Sequence, residues 1–266
     1  MMPGLHVENL ESVYNKAVTA ISGVSLEVPE GRIVALVGVN GSGKSTTLNA
    51  ISGLLAGDPQ EITDGCIWFD GERLDGLPPH EVVRRGVVLV PEREKIFETL
   101  TVAENLQASV ASVAKGPKTR DRLAEVFELF PALDERKSAV AGYLSGGQRQ
   151  MLAMARALVC HPRLLLVDEM TLGLAPVVIS ELLARLCQLR DSLGVSVLLV
   201  EQNVAAALDV ADYGYIMEKG RIVFHGTPDK LRSHEDVKEF YLGLGVAGAR
   251  SYREVKQYRR ARRWWG

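Results

Sequence analysis

The sequence predicts an α/β fold built on a parallel sheet, and three observations predict it. Short apolar runs rich in Val, Ile and Leu recur at 32–38, 86–91, 163–168 and 195–200. Continuous runs of that length read as strands buried on both faces, the habit of parallel sheets. Between the last two lies a helical pattern. Pro176 suits a first turn, Ile179, Leu182, Leu183, Leu186 and Leu189 recur at helical spacing, and Gly194 supplies the stop. Strand, helix, strand is a βαβ unit. Finally, 266 residues at 47% hydrophobic and 24% charged can bury a core without disulfide or metal staples. That composition excludes a disordered chain, a collagen-like chain and a coiled coil.

Two regions break the alternation. The first 30 residues and the stretch 65–74, with its Asp70-Gly71 turn, read as antiparallel strands. From Thr101 to about Val159 the pattern is helical, with Leu123, Val126, Phe127 and Phe130 on one stripe. The predicted organisation is one unit over 1–244, in which a helical part at about 93–160 is inserted into the α/β core, followed by a basic tail at 245–266. The tail holds seven basic residues (Arg250, Arg253, Lys256, Arg259, Arg260, Arg262, Arg263) and one acid, Glu254, in a chain of net charge −2. Its apolar residues do not form a clean helical stripe. A flexible tail and a segment drawn to anionic lipid, with Trp264 and Trp265 at the interface, both fit.

Cys66, Cys160 and Cys187 are far apart, without CxxC spacing, and fit a reduced interior better than a disulfide or zinc framework. No apolar run reaches the ~20 residues of a membrane-spanning helix. No signal segment opens the chain. The expectation is a protein that does not cross a membrane by itself. The five histidines show no metal-ligand spacing and read as surface or loop residues.

The run at 32–37 leads into GVNGSGKST at 38–46, with Gly38, Gly43, Lys44 and Ser45 at the spacing G-x-x-x-x-G-K-S. Glycines let the backbone N–H groups of Asn40, Gly41, Ser42 and Gly43 close around phosphate oxygens, and the next helix points its positive end at them through Thr46. Lys44 reaches the β- and γ-phosphates, and the Ser45 hydroxyl suits Mg²⁺. Downstream, the run at 164–167 delivers Asp168 and Glu169. Asp168 is placed to hold Mg²⁺ and Glu169 to polarise the water that attacks the γ-phosphate. Between these motifs, Leu144, Ser145, Gly146, Gly147 and Gln148 form a second glycine-rich entry to a helix, read as a second anion-binding start.

Phosphate loop, LSGGQ run and acid-terminated strand, in this order, resemble the ATP-binding cassette (ABC) ATPases, from Leu5 to about Leu244. The resemblance implies a P-loop NTPase fold of RecA-like type: a parallel-sheet core, an antiparallel β subdomain and a helical subdomain carrying the LSGGQ signature. It implies ATP and Mg²⁺ as cofactors and a head-to-tail dimer, each ATP lying between Lys44 and Ser45 of one subunit and Ser145 and Gly147 of the other. It also implies that Tyr14 stacks on adenine, although an ordinary strand tyrosine remains an alternative. The segment from Glu92 through Thr101 and the helices after it would form a groove for a membrane subunit's coupling helix, with Phe97, Leu100, Val102 and Leu106 as plain core the alternative reading.

Three positions depart from the broad family pattern. Glu92 stands where Gln is usual, Gln202 where a His usually contacts the γ-phosphate, and Met170 where Pro usually follows the acid pair. Glu92 keeps an oxygen ligand for Mg²⁺, and Gln202 keeps a hydrogen-bond donor. Glu92, Gln202 and TLGLAP at 171–176 resemble the ATPase subunits of branched-chain amino-acid importers, and Met170 is not explained by that branch. The resemblance therefore implies an importer ATPase on the cytoplasmic face of the cell membrane. It would work with a second ATPase subunit, membrane permease subunits and, indirectly, an external solute-binding protein. Related solutes such as urea, amides or aromatic acids, an exporter ATPase, a non-hydrolysing nucleotide-binding regulator, and a soluble ATPase acting on ribosomes or DNA are the competing readings. No nucleic-acid partner is expected.

Overall fold

The computed structural model describes residues 3–15, 18–55, 60–92, 95–111 and 119–241. Two strands open the chain, β1 (Gly4–Tyr14) and β2 (Val18–Pro29). They are followed by β3 (Ile33–Val37), α1 (Lys44–Ile51), β4 (Gln60–Phe69), β5 (Glu72–Arg73), α2 (Pro79–Arg84) and β6 (Val87–Val90). A helical stretch comes next, with α3 (Val102–Ala111), α4 (Thr119–Leu129), α5 (Pro131–Asp134), one 3-10 turn at Ala141–Tyr143 and α6 (Gly146–Leu158). The chain continues through β7 (Leu164–Asp168), α7 (Pro176–Leu193), β8 (Ser196–Glu201), α8 (Val204–Val210), β9 (Tyr213–Glu218), β10 (Arg221–Gly226), α9 (Pro228–Ser233) and α10 (Glu235–Phe240). The expected basic tail lies outside the described residues.

Six strands form the central sheet in the order β10-β9-β3-β8-β7-β6. From β9 to β6 every neighbouring pair is parallel, and β10 adds an antiparallel edge. Every residue of β3, β7 and β8 is buried, as the unbroken apolar runs require of strands covered on both faces. Because side chains alternate across a strand, the sheet feeds two cores. Ile33, Ala35 and Val37 face a cluster with α3, α4, α6, α7 and α8, while Val34 and Leu36 face a cluster with α1, α2 and the antiparallel strands.

That second sheet has the order β2-β1-β4-β5, so the N-terminal strand lies inside it, paired on both sides. Asp70 (φ 48°) and Gly71 (φ 83°) both take left-handed backbone at the tight turn from β4 to β5, the conformation that Asp-Gly favours in a two-residue hairpin. The Asp70 carboxylate also accepts from Gly4 N–H at 2.7 Å and so ties the turn to the start of β1. In α7, Pro176 occupies the first turn. Gly194 adopts φ 67° and donates its N–H to Arg190 O at 3.0 Å, ending the helix where the sequence places its stop.

His225 lies exposed in β10, as a surface residue, whereas His6 is half-buried in β1. Met170, left unexplained by the sequence, is 1% exposed and packs in the core with the helices. No helix among the described residues is long and apolar enough to cross a membrane.

Candidate active site

Four parallel strands in the spatial order β3, β8, β7, β6 end on one edge of the central sheet. Val37 pairs with Glu201, Val200 with Asp168, and Val167 with Val90. The residues that follow each strand therefore sit side by side: the loop at 38–46 after β3, Gln202 after β8, Glu169 after β7 and Glu92 after β6. Ligands of open α/β sheets bind at these carboxyl ends. Sequence reasoning found all four positions, and the topology makes them neighbours.

The loop's geometry depends on its glycines. Gly41 (φ 75°) and Gly43 (φ 108°) adopt backbone that side chains disfavour. A Cβ on Gly43 would lie 2.7 Å from Met217 Cε and 2.8 Å from Ile21 Cγ2, and one on Gly38 would lie 2.3 Å from Met217 O. Helix α1 begins at Lys44 with no side-chain cap, so its first N–H groups are available to an anion. Asn40 and Gly41 are exposed, Ser42 is buried and Thr46 half-buried.

Lys44 is 3% exposed and fully engaged. Its Nζ donates to Gly38 O at 2.8 Å and to Val39 O at 3.2 Å, and lies 3.1 Å from Glu169 Oε1. An ammonium has three donors, and here each has an acceptor. Ser45 Oγ donates to Asp168 Oδ1 at 3.3 Å. Burial, followed by the fields of Glu169 and Glu92, pushes Asp168 up to about 6, while the Ser45 hydrogen bond and Lys44 pull it down. A hydroxyl and a carboxylate at hydrogen-bond distance, with a further carboxylate near, are the oxygen donors a hard divalent cation takes. No group of three or more His, Cys, Asp or Glu side chains arranged for a metal occurs among the described residues.

Glu169 adopts φ 41°, a left-handed backbone uncommon for residues other than Gly, Asn and Asp. Its N–H donates to Val200 O at 2.9 Å. Sequence reasoning missed the acid at the end of β8. Glu201 is 2% exposed, and its carboxylate accepts from Thr171 N–H at 3.1 Å and from Thr171 Oγ1 at 2.7 Å. Burial pushes it up to about 7. The signal that marked Asp168, an acid closing an apolar strand, was equally present there.

The LSGGQ run is built differently. Ser145 caps α6: its Oγ accepts from Gln148 N–H at 3.4 Å, while Gln148 Oε1 accepts from Ser145 N–H at 3.1 Å, a reciprocal capping box. Leu144 is buried, Ser145 exposed and Gly146 half-buried. Gly147 is buried, and a Cβ there would lie 2.5 Å from Val178 Cγ1 of α7. Helix α6 belongs to the core on one face of the central sheet and α1 to the core on the other. Tyr14, at the end of β1, is 42% exposed.

A glycine-rich loop that engages a buried lysine, beside an acid-terminated strand of a parallel sheet, defines the P-loop NTPase fold. A family model described as ABC transporter matches residues 21–172, more than half of the chain. The high-affinity branched-chain amino acid transport ATP-binding protein BraG of Pseudomonas aeruginosa is 44% identical over 232 residues, covering 87% of this chain and 97% of that protein. The lipopolysaccharide export system ATP-binding protein LptB of Haemophilus influenzae is 38% identical over 245 residues, covering 90% and 97%. Among solved structures, an ATP-binding cassette of an ABC transporter in its ADP conformation superposes with a TM-score of 0.79 at 27% identity, over 91% of this chain and 100% of that one. The chain belongs to the ABC transporter family, as its ATP-hydrolysing cassette.

Proposed function

We propose that this chain is the ATP-hydrolysing subunit of an importer for branched-chain amino acids or related small polar solutes. The likeness to BraG over nearly the whole of both chains carries the solute class. The cluster of Lys44, Ser45, Asp168 and Glu169 at the sheet edge supports the chemistry. In this reading the N–H groups of 40–43 and the start of α1 cradle the phosphates, with Thr46 in the first turn, and Tyr14 stacks on adenine. Lys44 turns to the β- and γ-phosphates. Glu169 thereby loses its cation partner and accepts the proton of the attacking water. Gln202, exposed after β8, donates to a γ-phosphate oxygen. Ser45 and Asp168, with Glu92, would hold Mg²⁺, which when bound neutralises charge on the transferred phosphoryl group.

Ser145 and the α6 start serve the ATP of a second cassette, in a head-to-tail dimer. The placement of α1 and α6 on opposite faces of the sheet, with Ser145 exposed, supports this arrangement. The subunit would lie peripherally on the cytoplasmic face of the membrane, against permease subunits whose external solute-binding protein selects the cargo. No nucleic acid enters this scheme.

Two experiments test the reading. Pull-down of the tagged chain from gently solubilised membranes should recover two polytopic permeases and a sister ATPase of an amino-acid system. The likeness to LptB favours an exporter as the second reading, and recovery of lipopolysaccharide-export permeases would replace the importer. Ribosomal or DNA-repair proteins without a permease would overturn both. Separately, Glu169→Gln should lower turnover by about 10²–10⁴-fold and trap an ATP-bound dimer. Normal turnover would overturn the assignment of the base.

A further inference from the structure

The mechanism above leaves Glu201 unused, although the fold treats it as costly and specific. Its carboxylate is buried at the end of an otherwise apolar strand and makes no ion pair among the described residues. A carboxylate in such surroundings is unfavourable unless its oxygens are satisfied. Here one residue satisfies both: Thr171 donates its backbone N–H to Oε1 and its hydroxyl to Oε2. A role in packing alone would suit another Val or Leu, as at the neighbouring positions of β8.

The two bonds fix a turn. Thr171 lies two residues beyond Glu169, whose left-handed backbone is held on its own side by the bond from its N–H to Val200 O. The segment that carries Glu169 is therefore fastened to β8 twice, by the backbone of Val200 and by the side chain of Glu201. The next residue along β8 is Gln202.

We infer that Glu201 is a positioning residue for ATP hydrolysis: through its paired bonds to Thr171 it sets the Glu169 carboxylate relative to Gln202 and the γ-phosphate between them. The inference rests on the assignment of Glu169 as base and Gln202 as γ-phosphate contact. It separates ATP binding, which belongs to the loop at 38–46, from the alignment of the water-activating group. A displaced base costs rate without costing affinity, because misplacement by about 1 Å can cost about 100-fold.

The test uses the full chain and three substitutions. Glu201→Leu removes both acceptor oxygens and keeps the approximate volume. Thr171→Val removes the hydroxyl and keeps the volume. Thr171→Ser keeps both donors. Steady-state ATPase kinetics give kcat and KM, trinitrophenyl-ATP titration gives nucleotide affinity, and thermal melting reports the fold. The expected result is a kcat lowered by about 10–100-fold in Glu201→Leu and Thr171→Val, with KM and probe affinity within about twofold. Thr171→Ser should keep the parental kcat. Parental kcat in Thr171→Val, or kcat and nucleotide affinity falling together, would overturn the inference. Should Glu201→Leu fail to fold, the Thr171 pair decides alone. Active Glu169→Gln would break the assignment of the base, whereas active Glu201→Leu beside inactive Glu169→Gln would break only the positioning role.

Discussion

The loop at 38–46 and the turn at 144–150 both run a glycine-rich sequence into a helix, and they use glycine for different ends. In the first, Gly41 and Gly43 take φ of 75° and 108°, and the helix starts without a side-chain cap. In the second, Gly146 and Gly147 are ordinary first-turn helical residues. Ser145 and Gln148 cap the helix between them, and Gly147 leaves room for Val178. Glycine provides backbone conformation in one region and volume in the other. Similar composition therefore does not imply a similar site. The first helix start keeps its donors free for a ligand of its own chain, whereas the second has satisfied part of its donors internally and presents the exposed Ser145 outward.

Three substitutions sharpen or break that contrast. The largest effect is expected for Gly43→Ala, where left-handed backbone and a Cβ pressed on Ile21 and Met217 act together. Strain and overpacking of about 3 kcal/mol correspond to about 100-fold weaker nucleotide binding, measurable by calorimetric titration. Parental affinity would show that the loop does not depend on glycine conformation. Next, Gly147→Ala should cost about 1–3 kcal/mol of stability in denaturant melts of the nucleotide-free chain. Adding Val178→Ala should recover most of that loss. Failure of the rescue would mean that Gly147 supplies more than room. Smallest is Ser145→Ala, which removes the cap and should cost about 1 kcal/mol of stability. A fall in turnover much larger than that cost predicts would mark Ser145 as a ligand of the neighbouring nucleotide as well as a cap.

Much of the fold was legible because its signals are local. Strands β3, β6, β7 and β8 announce themselves as unbroken apolar runs, and α7 is bracketed by Pro176 and Gly194. The pair β9 and β10 was not read: YGYIME and RIVFHG mix aromatic, polar and apolar residues without clean alternation. Helices α8 to α10 are six or seven residues long, too short for periodicity to show. At the site, residues that follow strands were legible by type and order. The bond between Glu201 and Thr171 spans 30 residues of sequence, and nothing local marks it. The Ser145–Gln148 capping box carries a readable S-x-x-Q signature, yet the glycines beside it drew an anion-binding reading. Met170 looked like a lost proline, and its burial shows a core residue recruited from a turn.

The partition of the core by the central sheet has a consequence for how such a chain diversifies. Alternate residues of β3 go to separate clusters, so the helices on one face share no packing layer with the phosphate-loop helix on the other. Substitutions that reshape α3 to α6 for a new neighbour can accumulate without repacking the layer that holds α1. One motor design can then be refitted to different machines. Relatives named for branched-chain amino acid transport and for export of lipopolysaccharide stand at 44% and 38% identity to this chain, as expected where the engine is inherited and the drive shaft is free to drift.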